Sequence, residues 1–133
     1  MRRREMHKPL RSMVDKVRTA YTRCHRALSW LMEERDDNDM LARRGGVRLH
    51  VNKMPVLFLK YENDLYFMEF KSREGTLCTL GGVDLDSLCV SARARLQECE
   101  QKALRDVYDH WQERYDEAVA KELERRRRYD ELR

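Results

Sequence analysis

Two side chains in the middle of the chain, Glu69 and Lys71, have types and a spacing that could do chemistry together. Residues two apart on a β-strand point to the same face, so a carboxylate and an ammonium group would lie side by side there. Such a pair has two interpretations. It is an ordinary ion pair on an exposed face, or it is a metal-binding oxygen beside a cation, as metal-assisted phosphodiester hydrolysis requires.

The residues around this pair carry a local resemblance. Pro55-Val56 on one predicted strand and Glu69-x-Lys71 on the next resemble the metal-binding hairpin of the PD-(D/E)xK nuclease superfamily over residues 55–77. The resemblance implies that Glu69 binds a divalent cation and that Lys71 positions or activates the attacking water. The family has an Asp where this chain has Val56, so it implies a degenerate or divergent nuclease fold acting on nucleic acid, with an inactive or altered site.

The cysteines and histidines show no metal-ligand spacing. The four cysteines include no Cys-x-x-Cys pair, so the sequence predicts no metal site and no cofactor. Cys24 and Cys89 fall at apolar positions of predicted helices, and free cysteine packs as a small hydrophobe in reducing compartments. We therefore expect an intracellular protein, without distinguishing cytoplasm, nucleus and organelle matrix.

Basic residues are concentrated near the amino end. The net charge is +4, and residues 1–44 carry 12 Lys and Arg against 7 Asp and Glu. Each contact with a nucleic-acid phosphate would add a salt-dependent increment to binding, although such runs also occur as disordered tails. The run at residues 125–128 is embedded among carboxylates and is interpreted as a solvated helix end. The nucleic-acid-binding candidates are therefore Arg2, Arg3, Arg4 and Lys8.

An apolar heptad near the amino end predicts a helix over residues 10–44, after a basic tail of residues 1–9. Pro9 is tolerated only in a first turn, so the helix should begin near it, and Gly45-Gly46 should end it. The heptad keeps one apolar stripe facing a partner helix. Its members are Leu10, Val14, Val17, Tyr21, Cys24, Leu28 and Leu31.

The middle segment, residues 47–80, has the alternation and the β-branched and aromatic residues of strands. Asn63-Asp64 tolerate the positive φ angles of a two-residue hairpin turn. We therefore expect an antiparallel meander of three or four strands. The turn sets the register of its core face, on which the predicted pairs are Tyr61 with Tyr66, Leu59 with Met68, and Leu57 with Phe70.

Residues 84–132 contain no glycine or proline, which predicts one very long helix with Asp84 or Asp86 as its cap. The whole chain is thus expected to be one α+β domain. The apolar stripe of this helix shifts near Ala103, so its two halves should meet different surfaces. The distal stripe consists of Leu104, Val107, Trp111, Tyr115, Val119 and Leu123.

The distal stripe carries the functional hypothesis. An amphipathic helix is not stable alone in water, so the first helix, a second copy or another protein should cover it. Apolar runs of at most four residues predict no membrane span, which needs about 18. We expect a non-catalytic assembly subunit that docks through its helices into a dimer or a larger complex, with nucleic acid as an alternative partner. Its partner-binding candidates are the distal stripe together with Leu10, Val14, Val17, Tyr21, Leu28 and Leu31.

Overall fold

The computed structural model describes residues 3–132, with side chains from residue 8 onward. It confirms the predicted α+β class: an N-terminal helix, a four-stranded antiparallel sheet and a long C-terminal helix. Backbone contacts divide the described chain into unit 1, residues 3–17 and 102–132, and unit 2, residues 18–101. The elements are α1 (Arg3–Glu33), α2 (Arg35–Arg43), β1 (Val47–Val51), β2 (Met54–Glu62), β3 (Leu65–Ser72), β4 (Gly75–Gly82) and α3 (Leu85–Glu131).

The sheet is a meander in which each strand pairs with the next, in the order β1-β2-β3-β4. Asn63 and Asp64 have φ angles of 53° and 63°, as the two-residue turn requires. Asn52 and Lys53 form a second left-handed pair between β1 and β2. The predicted register is confirmed, with pairs Tyr61–Tyr66, Leu59–Met68 and Leu57–Phe70.

One face of the sheet forms the core of unit 2 together with α1 and α3. Burying a Leu or Phe side chain contributes about 1.5 to 3 kcal/mol, so this layer supplies much of the stability of the unit. The sheet contributes Leu57, Leu59, Tyr66, Met68, Phe70 and Cys78; the helices contribute Tyr21, Cys24, Ala27, Leu28, Leu31, Leu85, Leu88, Cys89, Ala92 and Leu96.

Helix α1 begins earlier than predicted. It starts at Arg3, so Pro9 lies inside the helix and residues 3–9 are not a separate tail. Proline has no N–H, and here the missing hydrogen bond is the one that the carbonyl of Glu5 would accept. Pro9 is the seventh residue of the helix, so it lies beyond the first turn, and the helix continues past it without this bond.

The predicted helix of residues 10–44 is in fact two helices, because the backbone leaves the helical conformation at Glu34 (φ −116°, ψ 48°). In an unbroken helix the carbonyl of Leu31 would accept from the N–H of Arg35. The buried amide of Asn38 donates to that carbonyl at 3.2 Å, so the break leaves no orphaned acceptor. The Arg35 guanidinium also donates to the Asp86 carboxylate at 2.8 Å. This bond favours the break between α1 and α2.

Gly45 and Gly46 end α2 as predicted. Both have positive φ angles, 135° and 111°, and the Gly46 N–H donates to the carbonyl of Leu41. A Cβ on Gly46 would lie 2.8 Å from the Phe58 ring. Position 46 therefore requires glycine both for its backbone angle and for this close approach.

Helix α3 is continuous through the position where its apolar stripe shifts. Asp84 caps it, since its carboxylate accepts from the N–H of Ser87 at 2.9 Å. The hydrogen bonds from Ser87 hold the pKa of Asp84 below its ordinary value. Within residues 3–132, none of the helices combines the length and the apolar character that crossing a bilayer demands.

Candidate docking helices and the hairpin site

Unit 1 contains the distal stripe of α3. Leu104 is buried, whereas Val107, Trp111, Tyr115 and Val119 are only half-buried. The rings of Trp111 and Tyr115 stack on each other with centroids 5.3 Å apart. Burial declines along the helix, and the last member of the stripe, Leu123, is 60% exposed.

The first turns of α1 supply the other helix of unit 1. Val14 is buried there, and Leu10 and Val17 are half-buried. This segment spans residues 3–17, about 22 Å of helix, while α3 contributes residues 102–131, about 45 Å. The shorter helix can therefore line only about half of the longer one. Among the unit 1 side chains that the structure describes, only Val14 and Leu104 are buried.

Three predicted partner-binding residues of α1 lie elsewhere. Tyr21, Leu28 and Leu31 are buried in the core of unit 2, with at most 4% of their surface exposed. This corrects the expectation, because side chains covered by their own chain have no surface left for a partner. A heptad pattern predicts which face of a helix is packed but not what packs against it. Here that face packs against the chain's own sheet and C-terminal helix.

Glu69 and Lys71 lie side by side on the outer face of the sheet, the face turned away from the core. The Lys71 ammonium is 3.5 Å from the Glu69 carboxylate, and the Thr76 hydroxyl donates to the other carboxylate oxygen at 3.3 Å. Both oxygens of Glu69 therefore already have partners. A cation bound there would have to displace them.

Val56 lies at a β-bulge. The register of β1 with β2 shifts between Leu49 and His50, which leaves Val56 as the extra residue, and its side chain is buried. The paired part of β2 and β3 ends at Leu57 and Phe70. Val56 and Lys71, the next two positions outward, are therefore not part of that ladder.

The four residues named by the nuclease resemblance, Pro55, Val56, Glu69 and Lys71, nevertheless line one cavity of about 190 Å³. Glu69 is the only carboxylate in its lining, beside Arg48 and Lys71. Over the described residues, His, Cys, Asp and Glu side chains form no group of three that could hold a metal ion. The cavity thus offers a metal ion a single, already engaged carboxylate.

Phe58 and Phe67 give the outer face of the sheet an apolar patch that the functional hypothesis does not include. Phe67 is 42% exposed, and its partner on the edge strand is Gly81, which has no side chain to cover the ring. The Arg48 guanidinium lies over the Phe58 ring, 5.3 Å from its centroid. The predicted turn at Asn63 and Asp64 could have indicated this patch, because the register that it sets places Phe58 opposite Glu69 and Phe67 opposite Lys60.

A polar cluster positions α2 against the hairpin. The Tyr66 hydroxyl donates to Asp39 at 2.6 Å and accepts from Arg43 at 2.9 Å. The Arg43 guanidinium also lies over the Tyr61 ring, 4.1 Å from its centroid. Burial, followed by the hydrogen bond to Asp39, raises the pKa of Tyr66. Sequence spacing gave no sign of this cluster, because its members come from α2, β2 and β3.

The basic candidates at the amino end are only partly described. Arg2 and the side chains of Arg3 and Arg4 lie outside the described residues, and Lys8 is exposed. At the other end, each arginine of residues 125–128 forms an ion pair with Glu122 or Glu124. The hydrogen bond from Arg125 lowers the pKa of Glu122 to about 2. These pairs agree with the interpretation of this run as a solvated helix end.

Comparison of the chain with protein-family models, with curated proteins and with solved structures finds no match.

Proposed function

We propose that this chain is a non-catalytic assembly subunit that docks through the helices of unit 1 onto a second copy, forming a dimer or a larger complex. The observation that carries the proposal is how few of the described side chains of unit 1 are buried. Of its described side chains only Val14 and Leu104 are buried, whereas stable small units normally bury a continuous apolar layer.

The half-buried residues extend this argument. Val107, Trp111, Tyr115 and Val119 each keep part of an apolar side chain in water, and burying such surface contributes about 25 cal/mol per Å². Large aromatic side chains at the centre of a docking surface commonly contribute most of the binding energy. Trp111 and Tyr115 are in that position on α3.

The surroundings of the stripe favour a protein surface over a polyanion. The arginines of residues 125–128 are paired with carboxylates on the same helix, so they provide little free positive charge for phosphates. The four free cysteines support a reducing intracellular compartment as the place where the subunit works. Nucleic acid stays an alternative partner through the amino-terminal cations.

Size-exclusion chromatography with light scattering tests the proposal on the full chain at micromolar concentration. The expected mass is at least twice the 16.1 kDa of one chain, and it should fall on dilution. Leu123→Gln should weaken association about tenfold, because one interfacial Leu is worth about 1.4 kcal/mol. Leu123 is 60% exposed within the chain, so the variant should fold normally.

Val90→Gln is the matched control. Val90 lies on the same helix in unit 2 and is 69% exposed, so this change removes an exposed apolar side chain outside the stripe. It should leave the association unchanged. A wild-type chain that is a folded 16.1 kDa monomer at every concentration tested would overturn the proposed self-association.

A further inference from the structure

Two cavities on the outer face of the sheet share the rings of Phe58 and Phe67. The first, of about 190 Å³, also has Arg48 and Lys71 in its lining. The second, of about 360 Å³, extends past Lys60 toward the β2–β3 turn. Each cavity is therefore bordered by the same two rings and by at least one cation.

The register leaves the two rings beside each other and accessible. Phe58 pairs with Glu69 and Phe67 with Lys60, so the rings are diagonal neighbours on β2 and β3. Phe67 is 42% exposed, and its partner on β4, Gly81, has no side chain. A flat group can therefore lie against the Phe67 ring without displacing a side chain at the facing position of β4.

Cations outnumber carboxylates around the rings. Both carboxylates that line the cavities are paired, Glu62 with Lys60 and Glu69 with Lys71. The exposed guanidinium of Arg48 lies over the Phe58 ring and forms no ion pair with any described side chain. The face thus presents one uncompensated cation directly beside the rings.

One end of the sheet adds to this positive charge. The first cavity reaches Pro55 at the start of β2, next to the β1–β2 turn. The β3–β4 turn lies at the same end of the meander. The two turns carry Lys53 and Arg73, both exposed, against Glu74.

We propose that this outer face of the sheet binds single-stranded nucleic acid, with bases stacked on Phe67 and Phe58 and phosphates held by Arg48 and Lys71. Every base has a flat π-face, so stacking on aromatic rings beside cations accepts any sequence. A duplex keeps its bases paired and stacked on one another, so it offers no free base face to these rings. The cations of the two turns would extend the path of the phosphates beyond the first cavity.

The composition of the face favours nucleic acid over a protein partner. The cores of protein interfaces are depleted in Lys and Glu, yet Lys60, Lys71, Glu62 and Glu69 border the two rings. The site also lies entirely in unit 2, whereas the proposed self-association uses unit 1. The two proposals can therefore fail independently.

Fluorescence anisotropy of the full chain with a fluorescein-labelled oligodeoxythymidylate of about ten nucleotides tests the proposal. The wild type should bind this strand more tightly than a duplex of the same length. Phe67→Leu keeps an apolar side chain but removes the ring, so its affinity should fall about tenfold. Phe67→Tyr keeps the ring and should bind like the wild type.

Trp30→Leu is the matched control. Trp30 is also 42% exposed, but it lies on α1, which packs against the opposite face of the sheet, so this variant should bind like the wild type. Lys71→Gln tests the phosphate contacts separately. It should reduce the dependence of log affinity on log salt concentration by about 0.7, the increment for one phosphate of a single strand.

Several results would overturn the proposal. They are the absence of an anisotropy change up to about 100 µM protein, equal affinities for the single strand and the duplex, and a salt dependence that Lys71→Gln leaves unchanged. Equal affinities of wild type and a folded Phe67→Leu would place the binding elsewhere, for example at the amino-terminal cations. Light scattering of Phe67→Leu should give the wild-type mass; a lower mass would show that this face is a protein interface instead.

Discussion

The phenol of Tyr66 donates a hydrogen bond of 2.6 Å to the carboxylate of Asp39, and this bond ties strand β3 to helix α2. Arg43 completes the connection, since it donates to the same phenol and covers the Tyr61 ring. Tyr66 itself is 4% exposed. A partly buried polar cluster therefore helps to hold the short helix between Glu34 and Gly45 against the sheet.

Tyr66→Phe should lower the free energy of unfolding by about 1 kcal/mol, the usual net value of an intramolecular hydrogen bond. The ring stays in place and only the hydroxyl shared by Asp39 and Arg43 is lost. Urea denaturation followed by circular dichroism measures the change. Tyr61→Phe is the control, because Tyr61 acts through its ring; an equal loss in both variants would contradict the role given to the Tyr66 hydroxyl.

His25 should make the protein less stable as the pH falls below neutrality. Burial and, secondarily, Arg93 lower its pKa in the folded chain, and Glu100 opposes them only in part. The unfolded chain, with a pKa near 6.5, therefore binds the proton first. Stability is present above about pH 6.5 and is lost as the pH falls toward the folded pKa.

Urea midpoints at about pH 7.5 and about pH 5.5 measure this effect. His25→Gln cannot titrate, so its midpoint should change less between the two pH values than that of the wild type. His50, which is exposed on β1, provides the control variant His50→Gln. A wild-type midpoint that rises on acidification would show that the sign is wrong.

Glu69→Ala separates the two interpretations of the hairpin. As a partner of Lys71 on the outer face, Glu69 should contribute less than about 1 kcal/mol to stability, and no Mg²⁺- or Mn²⁺-dependent cleavage should depend on it. The nuclease interpretation predicts the opposite: cleavage of DNA or RNA by the wild type that Glu69→Ala abolishes. Glu74→Ala, in the exposed turn that follows, is the control.

Val56→Asp introduces the carboxylate that the nuclease family has at the corresponding position. Because Val56 is 1% exposed, a buried carboxylate should destabilise the fold by several kcal/mol unless a cation or another partner compensates. The nuclease interpretation predicts that Mg²⁺ or Mn²⁺ raises the urea midpoint of this variant. A midpoint insensitive to either metal would argue against even a degenerate site.

The nucleic-acid alternative predicts a steep dependence of binding on salt. Fluorescence anisotropy with a labelled oligonucleotide should then show affinity falling with the logarithm of the salt concentration, with a smaller slope after removal of residues 1–8. Unit 2 begins at residue 18, so its core does not include the deleted segment. Replacement of Arg126 and Arg127, which already form ion pairs, should change the slope little. An affinity that is insensitive to salt would rule out phosphate contacts as its source.

The sheet could be predicted in detail because its determinants are local. The alternation of apolar residues and the left-handed turn at Asn63 and Asp64 fix which residues face each other. For the same reason, the Asp84 cap of α3 and the end of α2 at its two glycines could be predicted from the sequence. Each of these features is decided by residues within a few positions of one another.

The features that could not be predicted from the sequence depend on residues that lie far apart in it. The break at Glu34 depends on Asn38 reaching back to Leu31 and on Arg35 meeting Asp86, 51 positions away. The heptad of α1 predicted contacts for Tyr21 without distinguishing a partner from the chain's own core.

The meander also has a bearing on how the protein is made. Every strand pairs with its immediate successor, so all four strands can pair once Gly82 has left the ribosome, and short loops allow the sheet to close quickly. At that moment α3 is still unsynthesised or inside the ribosome. Met68 and Phe70, which are fully buried in the finished fold, then lack the cover that α3 provides, so the nascent sheet completes its core only after α3 has left the ribosome.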